Sequence, residues 1–176
     1  MNHDLDATDP PPGLTKDEFM RSVIREMAGI LEETVGENEA SVYVNRVGLH
    51  LGRILNKEYR ATFDTNQMSA HQVVSSLVHL KKRIGGEFSI EAQDEGSIAL
   101  VNSACPFGEK VIGRPSLCRM TANVFGHIAA ENLQYARVAI EEAIARGDRK
   151  CRVLISLRRP QGTAGTNETE FFGSSG

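Results

Sequence analysis

The residues best suited to chemistry are three cysteines, all in the second half of the chain. Cys105 precedes a proline and follows an apolar run typical of a strand, so we expect it on the loop that leaves that strand. Cys118 follows Pro115 and Ser116, two residue types that favour the start of a helix, and should lie in the first helical turn. Cys151 follows a Gly-Asp turn signal and opens a second strand. Each thiol is therefore predicted at the end of a secondary-structure element.

The surroundings of two of these thiols predict a lowered pKa. The partial positive charge of a helix N-terminus favours the thiolate of Cys118, and the neighbours Arg149, Lys150 and Arg152 favour that of Cys151. Thiolates are the usual protein ligands of zinc and of iron–sulfur clusters. The competing interpretation is structural, because a free cysteine often packs as a small buried hydrophobic residue. The separations of 13 and 33 residues also match no closed zinc finger.

Zinc sites and iron–sulfur clusters normally take four ligands, whereas the cysteines supply three. His127 follows Cys118 on the same predicted helix, but about two and a half turns further on, so it should point to another side. The remaining histidines lie on earlier predicted helices or near the N-terminus: His3, His50, His71 and His79. The fourth ligand stays open among a histidine, a carboxylate, water and a small molecule.

The composition is that of a globular protein with one domain. The chain has 176 residues, of which 40% are hydrophobic and 24% charged, and its formal net charge is -3. That charge balance argues against electrostatic binding of nucleic acid. The sequence has no apolar run long enough to cross a membrane, and its N-terminus is polar and acidic, unlike a signal peptide. We therefore expect a cytoplasmic protein with reduced thiols, a domain over residues 14–158, and flexible tails over 1–13 and 159–176.

Local signals predict helices first and strands afterwards. A capping box at Thr15 begins a helix that ends near Gly36, and Ser69 begins another. Between them, an apolar pattern predicts a helix from about residue 40 to 55, in which Gly48 and Gly52 allow close approach of another backbone, within the chain or across a dimer. Residues 88–91 and 97–102 flank an Asp-Glu-Gly turn and predict a hairpin.

The C-terminal half combines a predicted helix with a segment whose secondary structure is ambiguous. Residues 116–132 have the pattern of a fourth helix. Residues 135–146 favour a helix by propensity, whereas 137–141 can also form a strand paired with 151–157, and we choose the strand for the first half. The predicted fold class is α+β, with N-terminal helices followed by a small antiparallel sheet interrupted by a helix.

Four segments around the cysteines resemble a known family. They are Cys-Pro-Phe-Gly from Cys105, Pro-Ser-Leu-Cys ending at Cys118, Phe-Gly-His-Ile-Ala from Phe125, and Ile-Ala-Arg-Gly-Asp-Arg-Lys-Cys-Arg-Val-Leu-Ile around Cys151. In this order they resemble the methanogen output domain of prokaryotic sensory proteins. More distantly, they resemble the C-terminal domain of Suf-type repressors of iron–sulfur cluster biogenesis and the 4-vinyl-reductase-type ligand-binding domains.

The resemblance implies roles for specific residues. Three cysteines hold an iron–sulfur cluster in the Suf-type repressors, which assigns Cys105, Cys118 and Cys151 as metal and cofactor ligands here. The 4-vinyl-reductase-type domains imply a dimeric α+β fold that binds small ligands or zinc. The Suf-type repressors also carry a winged helix before this domain. No helix-turn-helix or basic face precedes the motif here, so direct binding to DNA is not expected.

Three functions follow as hypotheses. The first is a non-enzymatic sensory module, a homodimer in which three cysteines hold an iron–sulfur cluster and redox or gas state passes to a signalling partner protein. The alternative is a small-molecule receptor, with a pocket lined by Phe107, Met120 and Phe125 and supported by zinc or free thiols. The third, an enzyme with Cys118 as nucleophile, lacks a recognisable Cys-His-Asp arrangement.

Overall fold

Two of the helices begin at capping boxes. The Thr15 hydroxyl accepts the backbone N–H of Glu18 at 3.1 Å, and the Glu18 carboxylate accepts the N–H of Thr15 at 2.9 Å. Ser69 and Gln72 repeat this exchange at 3.3 and 2.9 Å. Because both boxes satisfy N–H groups that a helix leaves unpaired, they fix where these helices start, as the sequence predicts.

The computed structural model describes residues 15–159, 165 and 168–174. The predicted N-terminal tail, 1–13, lies outside the described residues, as does part of the predicted C-terminal tail. The elements in chain order are α1 (Lys16–Val35), α2 (Glu37–Thr62), α3 (Ala70–Arg83), β1 (Phe88–Gln93), β2 (Ser97–Asn102), a 3-10 helix (Gly108–Val111), α4 (Ser116–Leu133), β3 (Tyr135–Glu142), a second 3-10 helix (Ile144–Arg146), β4 (Cys151–Ser156) and β5 (Glu168–Phe172). No helix in these described ranges is both long and apolar enough to cross a membrane.

The strands form one antiparallel sheet in the order β1-β2-β4-β3-β5. The predicted hairpin is β1 and β2, and the ambiguous segment is strand β3, which pairs with β4. Alternate residues of the central strands, such as Ile98, Val138 and Ile155, are completely buried and belong to the main core. The predicted α+β class is therefore confirmed, with α4 inserted between β2 and β3.

Helix α4 packs against the sheet on one side and against α2 on the other. A Cβ on Gly48 would lie 2.8 Å from the Cβ of Asn123, and one on Gly52 would lie 3.0 Å from the Cβ of His127. These distances are too short for a larger residue without a shift of α4. The close approach predicted from Gly48 and Gly52 therefore occurs within one chain.

Strand β5 lies in the region that the sequence analysis assigns to a flexible tail. It pairs with β3, and its Phe171 is 8% exposed and belongs to the core. Arg137 of β3 reaches across to Glu168 at 3.4 Å and Glu170 at 3.0 Å. The sequence pattern does not show this strand because its ordering comes from pairing with β3 rather than from an apolar repeat of its own.

Contact between Gly126 of α4 and Phe171 makes this arrangement testable, because a Cβ on Gly126 would overlap the ring. We expect Gly126→Ala to lower the free energy of unfolding by about 1–3 kcal/mol through overpacking. In a Phe171→Ala background the ring is gone, and the same substitution should be neutral or stabilising, because alanine favours a helix over glycine by up to about 1 kcal/mol. Urea unfolding of the four proteins measures both effects. An equal cost in both backgrounds would contradict the packing described here.

Candidate functional site

The three cysteines line one small cavity at the end of the sheet where β2 finishes and β4 begins. The cavity has a volume of about 30 Å³, and its other walls include Lys81, Asn102 and several apolar side chains. Neither a histidine nor a carboxylate lies among its lining residues. The fold thus brings together all three thiols of the chain, from three separate segments.

Each thiol is placed by a different element. Cys151 opens β4 directly opposite Asn102, the last residue of β2, and its sulfur accepts the backbone N–H of Ile144 at 3.5 Å. Cys105 follows three residues after β2, in a turn closed by the N–H of Gly108 on the Cys105 carbonyl at 2.8 Å. Cys118 is in the first turn of α4, as the sequence predicts.

The segment between Cys105 and Cys118 is bound to helix α1. The guanidinium of Arg25 donates to the carbonyl of Ile112 at 3.0 Å and also contacts the carbonyl of Lys110. Further along, the Ser116 hydroxyl donates to Glu32, which also lies 3.4 Å from Arg114. Any displacement of this segment must therefore act on α1.

The predicted lowering of the Cys118 pKa is wrong. Burial is the main cause, and the nearby Cys151 and Cys105 the smaller ones, that raise the pKa of the Cys118 thiol to about 12. Burial also raises the pKa of the Cys105 thiol, against a smaller lowering by its backbone hydrogen bond to Phe107. Loss of hydration is therefore the largest influence on both thiols, and they are protonated near neutral pH in the metal-free protein.

Lys81 belongs to this site, although it is not among the candidate residues predicted from the sequence. The Lys81-Lys82-Arg83 run has the pattern of a solvated helix end, and Lys82 and Arg83 are exposed, but Lys81 is only 6% exposed. Its position, four residues after Leu77 and seven after Val74, places it on the buried face of α3. That spacing was the signal for its burial.

The Lys81 ammonium lies in a largely apolar environment. It donates to the Thr121 hydroxyl at 2.7 Å and lies 5.4 and 5.3 Å from the ring centroids of Phe88 and Phe125. Burial lowers its pKa from 10.5 to about 8, although the three cysteines act in the opposite direction. The cavity therefore contains a cationic group beside the thiols.

Asn102 supplies a second hydrogen-bond donor. It is 1% exposed, and its Oδ1 accepts the backbone N–H groups of Glu87 at 2.8 Å and Ala104 at 3.3 Å. Because these two bonds fix the orientation of the amide, Nδ2 is the group that remains, and it has no hydrogen-bond partner.

The thiols share a cavity but do not surround one point as metal ligands do. Among residues 15–159, 165 and 168–174, no three histidine, cysteine or acidic side chains are arranged to hold a metal ion. His127 packs against Gly52 and lines a different groove, as its place on α4 predicts, and His79 contacts the Tyr59 hydroxyl at 3.0 Å. His3 lies outside the described residues. The three thiols are therefore the available ligands for a soft metal ion. They would have to move closer together to bind such an ion.

A larger groove of about 690 Å³ lies elsewhere, alongside α2 and α4. Its walls carry charges of both signs, including Arg53, Lys57 and Glu131, and no cysteine. Of the aromatic and methionine residues suggested for a receptor pocket, Phe107 lines the cysteine cavity, Phe125 lies beneath Lys81, and Met120 contacts α2 at Gly48. The chemistry that the sequence pointed to thus lies in the smaller cavity.

The raised pKa of Cys118 predicts slow alkylation in the metal-free, reduced protein. At pH 8 we expect iodoacetamide to modify Cys118 at least about a hundredfold more slowly than in urea-unfolded chain, because only the thiolate reacts. The rate should continue to increase with pH above 9. Peptide mass spectrometry over a pH series gives the rates, with the unfolded chain as the control. Faster reaction of Cys118 in the folded protein would instead show a thiolate stabilised by the helix N-terminus.

Two solved structures share the fold. A trafficking protein particle complex subunit 3 from Naegleria fowleri, covalently bound to palmitic acid, has a TM-score of 0.59 and 11% identity, over 81% of this chain and 95% of that one. The phenol-responsive sensory domain of the transcription activator PoxR, with phenol, has a TM-score of 0.55 and 12% identity, over 81% of this chain and 75% of that one. Comparison with curated protein sequences gives no match.

The family comparison is more specific than these structural similarities. The family model described as methanogen output domain 1 matches residues 19–156, which include α1 from its first turn, all three cysteines and all of β4. The further relation to Suf-type repressors and 4-vinyl-reductase-type domains remains a prediction. The match covers most of the chain, and we conclude that the chain belongs to the methanogen output domain 1 family.

Proposed function

We propose that this chain is a cytoplasmic sensory module that holds an iron–sulfur cluster through Cys105, Cys118 and Cys151 and passes its state to a partner protein. Membership of an output-domain family fits a sensory or regulatory, non-enzymatic role. The observation that supports the cluster is the convergence of all three cysteines of the chain on one cavity.

The donor set suits a centre with one open position. Closed structural zinc sites use four protein ligands, whereas this cavity offers three thiols and neither a histidine nor a carboxylate. A cluster bound there would supply a redox state and reactivity toward oxygen or nitric oxide, and the position without a protein ligand would be open to a gas or small molecule. The thiols must lose their protons to bind, and the nearby Lys81 ammonium favours the resulting negative charge.

Ligation would require the segment between Cys105 and Cys118 to move. Cys151 lies on β4, which is paired on both sides within the sheet, so it is the more rigid of the three positions. The movement would come mainly from the loop that carries Cys105, because α4, which carries Cys118, is packed against α2 and the sheet. Because Arg25 and Glu32 bind this segment to α1, α1 would respond to occupancy of the site. Met27 and Ile30 on α1 are 67% and 62% exposed and offer an apolar surface to a partner protein.

A small-molecule receptor is the second candidate. It is favoured by the apolar walls of the cavity, which include Phe107, Val111 and Leu117. A protein of the same fold is described as a phenol-responsive sensory domain, which makes ligand sensing a reasonable use of this architecture. In this alternative, zinc or free thiols support the fold.

The two candidates differ in what the purified protein contains. For the cluster sensor we expect iron and sulfide in the anaerobically purified protein, with a broad visible absorption that bleaches in air. Each of Cys105→Ser, Cys118→Ser and Cys151→Ser should lose most of the iron, because each removes one of three thiolate ligands. Ser103→Ala, beside Cys105 in sequence, keeps all three thiols and serves as the matched control.

Metal analysis and visible spectroscopy of these five proteins decide between the candidates. A colourless wild-type protein without iron or sulfide after attempted cluster reconstitution would refute the cluster. Zinc at one equivalent per chain, lost in the cysteine variants, would then favour the zinc-supported receptor, and absence of any metal would favour the receptor with free thiols.

We also propose that the module is a homodimer. Gly48 and Gly52 pack within the chain, but a stripe of large apolar side chains on another face of α2 stays exposed: Tyr43, Val47, Leu51 and Ile54. Their spacing of three and four residues places them on one side of the helix. A contiguous exposed apolar surface of this kind is typical of an interface.

If the module is a dimer, one substitution in the apolar stripe should halve its mass in solution. Val47→Glu should convert a dimer to a monomer in sedimentation-velocity experiments, because it puts a charge into the apolar stripe. Val42→Glu changes another exposed valine of α2, on a different side of the helix, and should leave the dimer intact. A monomeric wild-type protein at tens of micromolar concentration would contradict the dimer.

A further inference from the structure

We propose that the cavity holds a binding site for a small carboxylate, formed by the Nζ of Lys81 and the Nδ2 of Asn102. This site uses nitrogen donors and not the thiols, and it belongs to the metal-free chain, because the proposed cluster would use the same cavity. It would recognise a one- or two-carbon carboxylate, with one oxygen available to each donor.

The first argument is the unused donor of Asn102. Its side chain is 1% exposed and lines the cavity, and two backbone N–H groups bind its Oδ1, so Nδ2 cannot exchange places with the oxygen. Nδ2 is left without a partner. A buried donor without an acceptor is costly and rare in native proteins, so an acceptor is expected beside it.

A second buried asparagine, Asn132, provides a comparison for the side-chain amide of Asn102. The Nδ2 of Asn132 donates to the Oδ1 of Asn56 and to the carbonyl of Ile128, both at 2.7 Å. Its Oδ1 accepts from the backbone of Met68 and from Arg60, both at 2.9 Å. Asn132 is fully satisfied within the chain. Asn102 differs from Asn132 in this respect, and its Nδ2 is the buried atom without a partner that belongs to a residue lining the cavity.

The second argument is the charge of Lys81. A lysine ammonium has three N–H donors, and the Thr121 hydroxyl accepts one of them. The rings of Phe88 and Phe125 offer only their faces, and no carboxylate lines the cavity. Thiol sulfur is a weak acceptor. Buried charges in proteins are normally paired, so the cavity lacks an anion.

The size of the cavity limits the ligand. A volume of about 30 Å³ has room for only a few non-hydrogen atoms. A water molecule there would satisfy Asn102 but would leave the charge of Lys81 unpaired. Formate or acetate supplies both the negative charge and two acceptor oxygens, and charge-assisted hydrogen bonds to such a group are among the stronger ones. The phenyl ring of benzoate is too large for the same space.

The test uses the full, metal-free, reduced chain. We would titrate it with formate and with acetate, at ionic strength held constant with chloride, and follow both Tm and the line width of ¹³C-labelled formate. We expect a saturable rise in Tm and broadening of the formate resonance, and no response to benzoate. Absence of a saturable response to formate and acetate in the wild-type protein would overturn the proposal.

Three variants locate the binding. Asn102→Asp keeps an oxygen that accepts the backbone N–H groups of Glu87 and Ala104, but it replaces the donor Nδ2 with a second oxygen. This variant should bind formate at least tenfold more weakly. Lys81→Met keeps an unbranched side chain, one atom shorter than that of lysine, without its charge, so it should also lose binding, while raising the Tm of the ligand-free protein. Lys82→Met, at the exposed neighbouring position, is the matched control and should bind as the wild type does.

Binding retained in Lys81→Met would overturn the proposal, even if Asn102→Asp failed to fold. Because the measurement uses metal-free protein, its outcome is independent of the iron, sulfide and zinc analysis. Failure here would leave the proposed cluster untouched, and failure of the cluster would leave this site untouched.

Discussion

Helix α4 is packed closely on both sides, and the remaining features of the molecule depend on that constraint. Gly48 and Gly52 let the backbone of α2 pack against one side of α4. On α4 itself, Gly126 leaves room for the ring of Phe171 from β5. A helix held in this way cannot shift without disturbing α2 or the sheet, since protein interiors are close-packed. Cys118 and Thr121 lie at its N-terminal end and are therefore positioned by packing further along the helix.

The cavity next to this helix end combines groups that rarely occur together in a core. Lys81 and Asn102 bring a charge and an unpaired donor into an environment that is otherwise apolar, and two of the three thiols have a raised pKa because of burial. Such groups reduce stability unless something binds them. Their concentration in one cavity is typical of a functional site.

Polar contacts connect the cavity to helix α1, one side of which is exposed. Arg25 and Glu32 hold the segment between Cys105 and Cys118 against α1, whose exposed side includes Met27 and Ile30. The segment that carries part of the cavity wall is thus in contact with a helix that has an exposed apolar side. If the proposed cluster or a small molecule binds there, this segment is the connection through which α1 would respond.

Local features could be predicted from the sequence: the capped starts of α1 and α3, the hairpin, the helix over 116–132, and cysteines at the ends of elements. These depend on neighbours within a few residues, which a single sequence shows directly. Tertiary structure decided that cysteines separated by 13 and 33 residues share one cavity, that Lys81 is buried while Lys82 is not, and that β5 joins the sheet. It also reversed the expected pKa shift of Cys118, because desolvation depends on all the elements packed around the thiol, whereas the helix end that was visible in the sequence contributes only one local field.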